Sequence, residues 1–114
     1  MKDKIIQHYI EAWNVKDGEK RMQLLKRSFD KNGRYTDPHI PQRVEDIQQM
    51  DAVIEAFNSR LPHQLKLIGE VEFHSYVFRL KWRMEDNGSV LSNGIFVGEF
   101  GTGDLITNII CFIG

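Results

Sequence analysis

The hydrophobic period of this chain changes once, near His63. Before that point apolar residues recur at the three-four spacing of helices, and after it they alternate as in strands. A chain with that single switch must place helices first and sheet second, which leaves few architectures. Ile6, Tyr9, Ile10 and Trp13 define one face of a predicted helix over about residues 3–14. Asp17 is a predicted N-cap for a second helix, with Glu19 in its first turn. Met22, Leu25 and Phe29 form the apolar stripe of that helix, and Asn32-Gly33 ends the segment. Tyr35 to Asp37 reads as a short extended piece and Pro38 to Arg43 as a loop with two proline breakers. Ile47, Met50, Ile54, Phe57 and Leu61 then mark a third helix, which Pro62 closes.

Everything after His63 reads as antiparallel sheet. Leu65, Leu67 and Val71 alternate with polar neighbours, and His74, Tyr76, Phe78, Leu80, Trp82 and Met84 share one face of a long strand. Arg79 falls on the opposite face, where it suits an interface ion pair better than catalysis. Asn87-Gly88 is a hairpin signal, because both residues tolerate positive φ. The return strand, about 90–100, carries Leu91, Ile95 and Val97 on one side and Phe96 and Phe100 on the other. After a turn at Gly101 to Asp104, the last strand sets Leu105, Ile109 and Cys111 against Ile106, Ile110 and Phe112. The expected fold is a single α+β domain over residues 1–114, with three N-terminal helices on one face of a curved sheet.

The balance of charge narrows the function. Fifteen basic and sixteen acidic residues give a net charge of −1, with no basic run of the kind that carries nucleic-acid affinity. No apolar stretch is long enough to span a bilayer, and the N-terminal residues lack the pattern of a signal peptide. The expected location is the cytoplasm. Cys111, the only cysteine, lies in an apolar run and reads as a small buried hydrophobe.

Asp37 is the leading candidate for chemistry. Pro38 pushes it toward an extended backbone at the end of a short strand, where it can face inward between helices and sheet. Burial disfavours the charged form of a carboxyl, which suits such a group to proton transfer. The competing reading is an exposed turn acid that bonds nearby backbone amides. His74 is a second candidate acid or base, on the strand face of Trp82. His39 forms only an Asp-x-His pair with Asp37, short of the ligands a metal needs, so no metal is expected. No glycine-rich phosphate loop precedes a helix, and no cofactor is expected. Tyr9, Trp13, Phe29, Tyr35, Phe57, Trp82 and Phe96 could line a cavity for a flat apolar ligand or simply form core.

The order of Tyr9-Ile10-Glu11-Ala12-Trp13-Asn14, Asp17, Leu24-Leu25, Phe29, Tyr35-Thr36-Asp37-Pro38, Arg79-Leu80-Lys81-Trp82, Asn87-Gly88 and Ile109-Ile110-Cys111-Phe112 resembles the nuclear transport factor 2-like superfamily, in its SnoaL-like branch. The resemblance runs from about Ile5 to Phe112. It implies a cone in which a strongly curved antiparallel sheet wraps the helices and leaves a pocket. The superfamily includes ketosteroid isomerases, polyketide cyclases, dehydratases and non-catalytic binding domains, so fold alone does not fix function. In a ketosteroid-isomerase-like site a helix-one tyrosine donates to the enolate oxygen, an aspartate before a proline moves the proton, and a protonated acid on a later strand donates as well. Tyr9 and Asp37 match the first two positions, and Phe96 stands where the strand acid would be. A phenylalanine donates nothing to an oxyanion, and one lost donor commonly costs on the order of 10²–10³ in rate.

Two functions follow from this. The favoured one is a pocket for a small hydrophobic molecule in a ligand-binding or accessory protein. The alternative is an isomerase, cyclase or dehydratase acting on a small apolar carbonyl compound, with Asp37 as general base, Tyr9 as donor and His74 nearby. A homodimer through the convex sheet face is also expected, with Leu91, Ile95 and Val97 at or near the interface.

Overall fold

A computed structural model describes residues 2–60 and 63–114. The chain runs α1 (Lys2–Ala12), α2 (Gly18–Lys26), β1 (Phe29–Thr36), α3 (Ile47–Arg60), β2 (Gln64–His74), β3 (Val77–Asp86), β4 (Ser89–Phe100), a 3-10 turn at Thr102–Asp104 and β5 (Ile106–Ile113). The strands form one curved, unclosed sheet in the order β1-β5-β4-β3-β2. β1 runs parallel to β5, and the other neighbouring pairs are antiparallel. Leu61 and Pro62, expected to complete and close the third helix, lie outside the described residues.

Local chemistry sets the helix ends. The Asp17 carboxylate accepts from the backbone N–H groups of Glu19 and Lys20, as an N-cap should. Asp46 does the same for Gln49 at the start of α3, while the Gln49 side chain accepts from Glu45 N. Arg27 N–H bonds both Gln23 and Leu24 carbonyls, and the Ser28 hydroxyl bonds back to Leu24 O at 2.9 Å. These bonds end α2 at Lys26, so Phe29 does not belong to its stripe. Phe29 opens β1, opposite Ile106 of β5. β1 is also longer than the expected Tyr35 to Asp37 piece, because Asn32-Gly33 sits within an irregular stretch of the strand and does not end it.

The core is the concave face. Phe78, Leu80, Trp82 and Met84 of β3, Phe96 and Phe100 of β4, and Ile106, Ile109 and Cys111 of β5 are buried there against Ile6 and Tyr9 of α1 and Met50 and Ile54 of α3. Two glycines let the sheet bend inward. Gly94 pairs with Trp82 and Gly98 with Phe78 across the β3–β4 ladder. A Cβ at Gly94 would overlap Trp82 Cζ2, and one at Gly98 would overlap Phe78 Cζ. Each ring therefore lies across bare backbone on the next strand.

Three local departures matter for the site. The long strand expected from His74 to Met84 is broken by a hairpin, in which Ser75 has φ 57° and Tyr76 is exposed. His74 ends β2 and pairs with Val77, so the alternation that put it beside Trp82 stops at the turn. In β4, Met84 pairs with Ser92 and Glu85 with Val90, which leaves Leu91 as the extra residue of a bulge. In β5, Glu99 pairs with Asn108 and Phe100 with Ile106, so Thr107 is extra and Ile106 turns inward, away from the side of Ile110 and Phe112.

One charged group is buried between helices. Arg21 of α2 is 2% exposed, and its Nε donates to Asp51 Oδ1 of α3 at 2.7 Å. Its Nη1 donates to Val15 O, and Nη2 lies 3.9 Å from Glu55 Oε1. Asn14 ties the end of α1 to β2: it donates to Leu65 O at 2.9 Å and accepts from Leu65 N at 2.6 Å.

Candidate functional site

Asp37 follows the last residue of β1 and begins a tight turn. Ile40 N–H donates to Asp37 O, and Pro38 and His39 occupy the central positions, an Asp-Pro start that suits a type I turn. Val44 then pairs with Tyr35 by two backbone hydrogen bonds, which folds the loop back and fixes the end of β1. The carboxylate is held at both oxygens. Oδ1 accepts from His39 N–H at 2.7 Å, and Oδ2 accepts from the Tyr35 hydroxyl at 2.6 Å. Asp37 bonds an adjacent amide as a turn acid does, but it is not exposed: only 5% of its side chain meets solvent. His39 Nδ1 lies 3.7 Å from Oδ1, while most of its imidazole faces water.

A cavity of 170 Å³ adjoins this acid, and both it and its turn neighbour His39 contribute to the wall. Trp13, Tyr35, Phe57, Trp82 and Phe96 supply aromatic walls, and Leu65, Met84, Leu91, Ser92, Cys111 and Ile113 complete it. Phe96 is the hub. Its ring centroid lies 5.6 Å from Trp82, 5.7 Å from Tyr9, and 6.3 Å from both Trp13 and Tyr35. Such contacts at edge and offset geometries fix ring positions.

The expected site residues divide in three. Asp37, Trp13, Tyr35, Phe57, Trp82 and Phe96 meet at the cavity. Tyr9 and Phe29 pack on each other at 6.3 Å within the core and are not among its lining residues. His74 is remote and exposed. Its partner Val77 stands five positions before Trp82 on β3, roughly 17 Å along the strand. The hydroxyl paired with Asp37 is that of Tyr35, not Tyr9. Tyr35 and Asp37 are two positions apart, a spacing that puts strand residues on one face, and this signal was there to read. The bulge explains the other surprise: Leu91, expected at the convex interface, lines the cavity mouth.

Burial keeps the neighbouring acids protonated. Desolvation raises the Tyr35 hydroxyl well above its ordinary value, and the charges of Tyr9, Cys111 and Asp37 add to this, so Tyr35 is a donor. The Tyr9 hydroxyl is raised well above its ordinary value, again chiefly by burial. The Cys111 thiol is pushed up to about 12 by burial and then by the Asp37 charge, against a smaller opposing pull from Tyr35. Cys111 is thus no ready nucleophile. For all three groups the folded state holds a proton that the unfolded chain has released at high pH. For Cys111 that favourable contribution is complete below about pH 9 and is lost as pH rises toward about 12, and for the two tyrosines it begins to fall only above about pH 10. Chemical denaturation across pH 8–11 should show stability falling with pH, more gently for Cys111→Ala than for the parent. A flat parent profile would refute this burial.

Polar atoms without partners cluster here. Among the described residues, Tyr9 Oη, Trp13 Nε1 and Trp82 Nε1 are buried and make no hydrogen bond. Trp13 lies close enough to the Tyr9 hydroxyl to stabilise its ionised form, although no hydrogen-bond geometry is met. No group of three or more His, Cys, Asp or Glu among the described residues could hold a metal ion, and no helix among them is long and apolar enough to cross a membrane.

No family model matches the chain, and no curated protein does. Solved structures do. A candidate isomerase of the SnoaL-like family from Agrobacterium tumefaciens is 31% identical, with 97% of this chain and 95% of that one covered and a TM-score of 0.89. A candidate SnoaL-like polyketide cyclase from Jannaschia shares the fold at 13% identity, with 98% and 84% covered and a TM-score of 0.77. A SnoaL-like protein of unknown function from Burkholderia thailandensis does so at 16% identity, with 98% and 93% covered and a TM-score of 0.77.

Proposed function

Because this chain belongs to the SnoaL-like family of nuclear transport factor 2-like proteins, we propose that its cavity receives a small, mostly apolar molecule bearing one polar group. The observation that carries this reading is an aromatic-walled cavity of 170 Å³ with a single carboxylate in its described lining, Asp37. A dry cavity of about 150 Å³ is large enough for benzene. The present one suits a six-membered ring or a branched chain of similar size, well below a steroid or a fused-ring polyketide. Asp37, oriented by Tyr35, is the polar anchor.

A second reading is favoured by the burial of that acid beside the cavity. Asp37 would act as general base in a cofactor-independent isomerase, cyclase or dehydratase step on a small apolar carbonyl compound. The 31% identical Agrobacterium protein, a candidate isomerase, supports this direction. The strand position of the second acid is Phe96 here, so strong oxyanion stabilisation from that strand is absent. Incubation with cyclohexanone in D₂O tests both readings. Saturable perturbation of Tyr35 and Phe96 resonances supports the pocket. Deuterium exchange next to the carbonyl that falls about 10²-fold or more in Asp37→Asn supports the base. Binding without exchange leaves the accessory reading alone, and no perturbation at all removes both.

We further propose a homodimer. Val90 and Phe112 are exposed and Ile95 and Val97 half-buried on the sheet face opposite the core, and a second copy would cover them without closing the cavity. Light scattering should give twice the chain mass of 13.3 kDa at micromolar concentration. The mass of one chain would rule the dimer out.

A further inference from the structure

A buried carboxylate in a folded protein is usually held by a cation, from Arg, Lys or a metal. Asp37 is held otherwise. The two groups that bond its oxygens, the Tyr35 hydroxyl and the His39 backbone N–H, are both neutral. The His39 imidazole stands 3.7 Å from Oδ1, outside hydrogen-bond reach, and is 65% exposed. Arg34 and Arg43, on either side of Asp37 in the sequence, both pair with Glu45. The described lining of the cavity contains no Lys or Arg. The charge of Asp37 is nevertheless felt there, since it adds to the burial that pushes the Cys111 thiol up.

The same cavity suits a positive charge. Trp13, Tyr35, Phe57, Trp82 and Phe96 supply five of its walls. Aromatic faces attract an ammonium group within about 6 Å, more strongly where the group is desolvated. Trp13 meets Phe57 at 83°, Tyr35 at 53° and Phe96 at 27°, so the walls do not all turn their edges to one space.

We propose that the cavity takes a small organic cation, an ammonium group on a ring or branched chain of about six carbons, with its charge set against Asp37 and the aromatic walls. This rests on the pocket reading above and names the chemistry of the ligand's polar group. A neutral ketone or alcohol of the same size fills the space but leaves the Asp37 charge uncompensated. An ammonium brings N–H donors to the acceptor sites that Tyr35 and His39 leave free, because a carboxylate has about four such sites. Direct contact is not required, since Coulomb attraction falls only as the inverse of distance and a low dielectric strengthens it. A carbonyl oxygen finds less: the indole nitrogens of Trp13 and Trp82 are buried, and the Tyr35 hydroxyl is spent on Asp37.

Titration calorimetry with cyclohexylammonium chloride and with cyclohexanol, at one ionic strength and neutral pH, tests this. The two share a ring and differ in the charge of the polar group. The ammonium should bind the parent protein at least tenfold more tightly. In Asp37→Asn the ratio of the two affinities should fall to about one. A smaller ratio in the parent, with both compounds bound, removes the inference and leaves the pocket standing. A preference that survives in Asp37→Asn overturns the inference too. If neither compound binds, the pocket falls with it. If Asp37→Asn fails to fold, nuclear Overhauser contacts in the parent decide. Contacts from the cyclohexyl protons of the ammonium to Trp13 and Phe57 assign the preference to the cavity. Their absence puts the ammonium elsewhere and overturns the inference.

Discussion

Phe96→Ala is expected to cost about 3–5 kcal/mol, the usual loss for a fully buried aromatic residue. For a domain of this size that is on the order of 15 °C in Tm. The cause is the position of Phe96, which is 2% exposed and in ring contact with Tyr9, Trp13, Tyr35 and Trp82. Removing it leaves four rings facing a void. The variant should gain capacity where it loses stability. A bicyclic ketone that the parent rejects should bind and restore part of the lost Tm. Phe96→Asp should lose at least as much at neutral pH, since the described cavity residues include no Lys or Arg to pair a carboxylate there. An unchanged melting temperature in Phe96→Ala would show that Phe96 is not the centre of the core.

Arg21→Ala should also be strongly destabilising, by about 3 kcal/mol. Breaking a buried ion pair typically costs about 3–5 kcal/mol because the surviving charge is stranded. The lower end applies because the Asp51 side chain keeps 22% of its exposure. The same physics predicts recovery: Arg21→Met combined with Asp51→Leu should regain most of the loss, since neither charge is left behind. Urea denaturation of the two single variants and the double variant measures the coupling. Additive losses would mean that the 2.7 Å contact carries no energy of its own.

The α+β order of this fold was legible because the period switch near His63 is carried by many residues at once. Single-residue features were harder to see. The hairpin at Ser75-Tyr76 has no glycine or asparagine to announce it, and Ser75 adopts positive φ itself. Its omission moved His74 onto the wrong face. The bulges at Leu91 and Thr107 each reverse an alternation that looks unbroken in the sequence. Tyr35 was legible as a wall but not as the partner of Asp37, although their spacing allowed it. Arg21 shares a helix face with Leu25 four positions on, a hint of burial, but its acid lies thirty positions away on another helix. Nothing local in the sequence specifies that pairing.

β1 has one neighbour in the sheet, β5, and that neighbour is encoded about seventy-five positions later. At usual translation rates the two segments are made roughly 4–15 s apart. Through that interval the strand that leads into Asp37 has the Val44 bridge and the helices but no neighbouring strand, and Cys111, one wall of the cavity, does not yet exist. A growing chain therefore has helices and a meander but no receptor site. The site is created in the closing step, when the earliest strand docks on the latest. Any ligand it takes recognises only the finished molecule, and so draws the folding equilibrium toward completion by mass action.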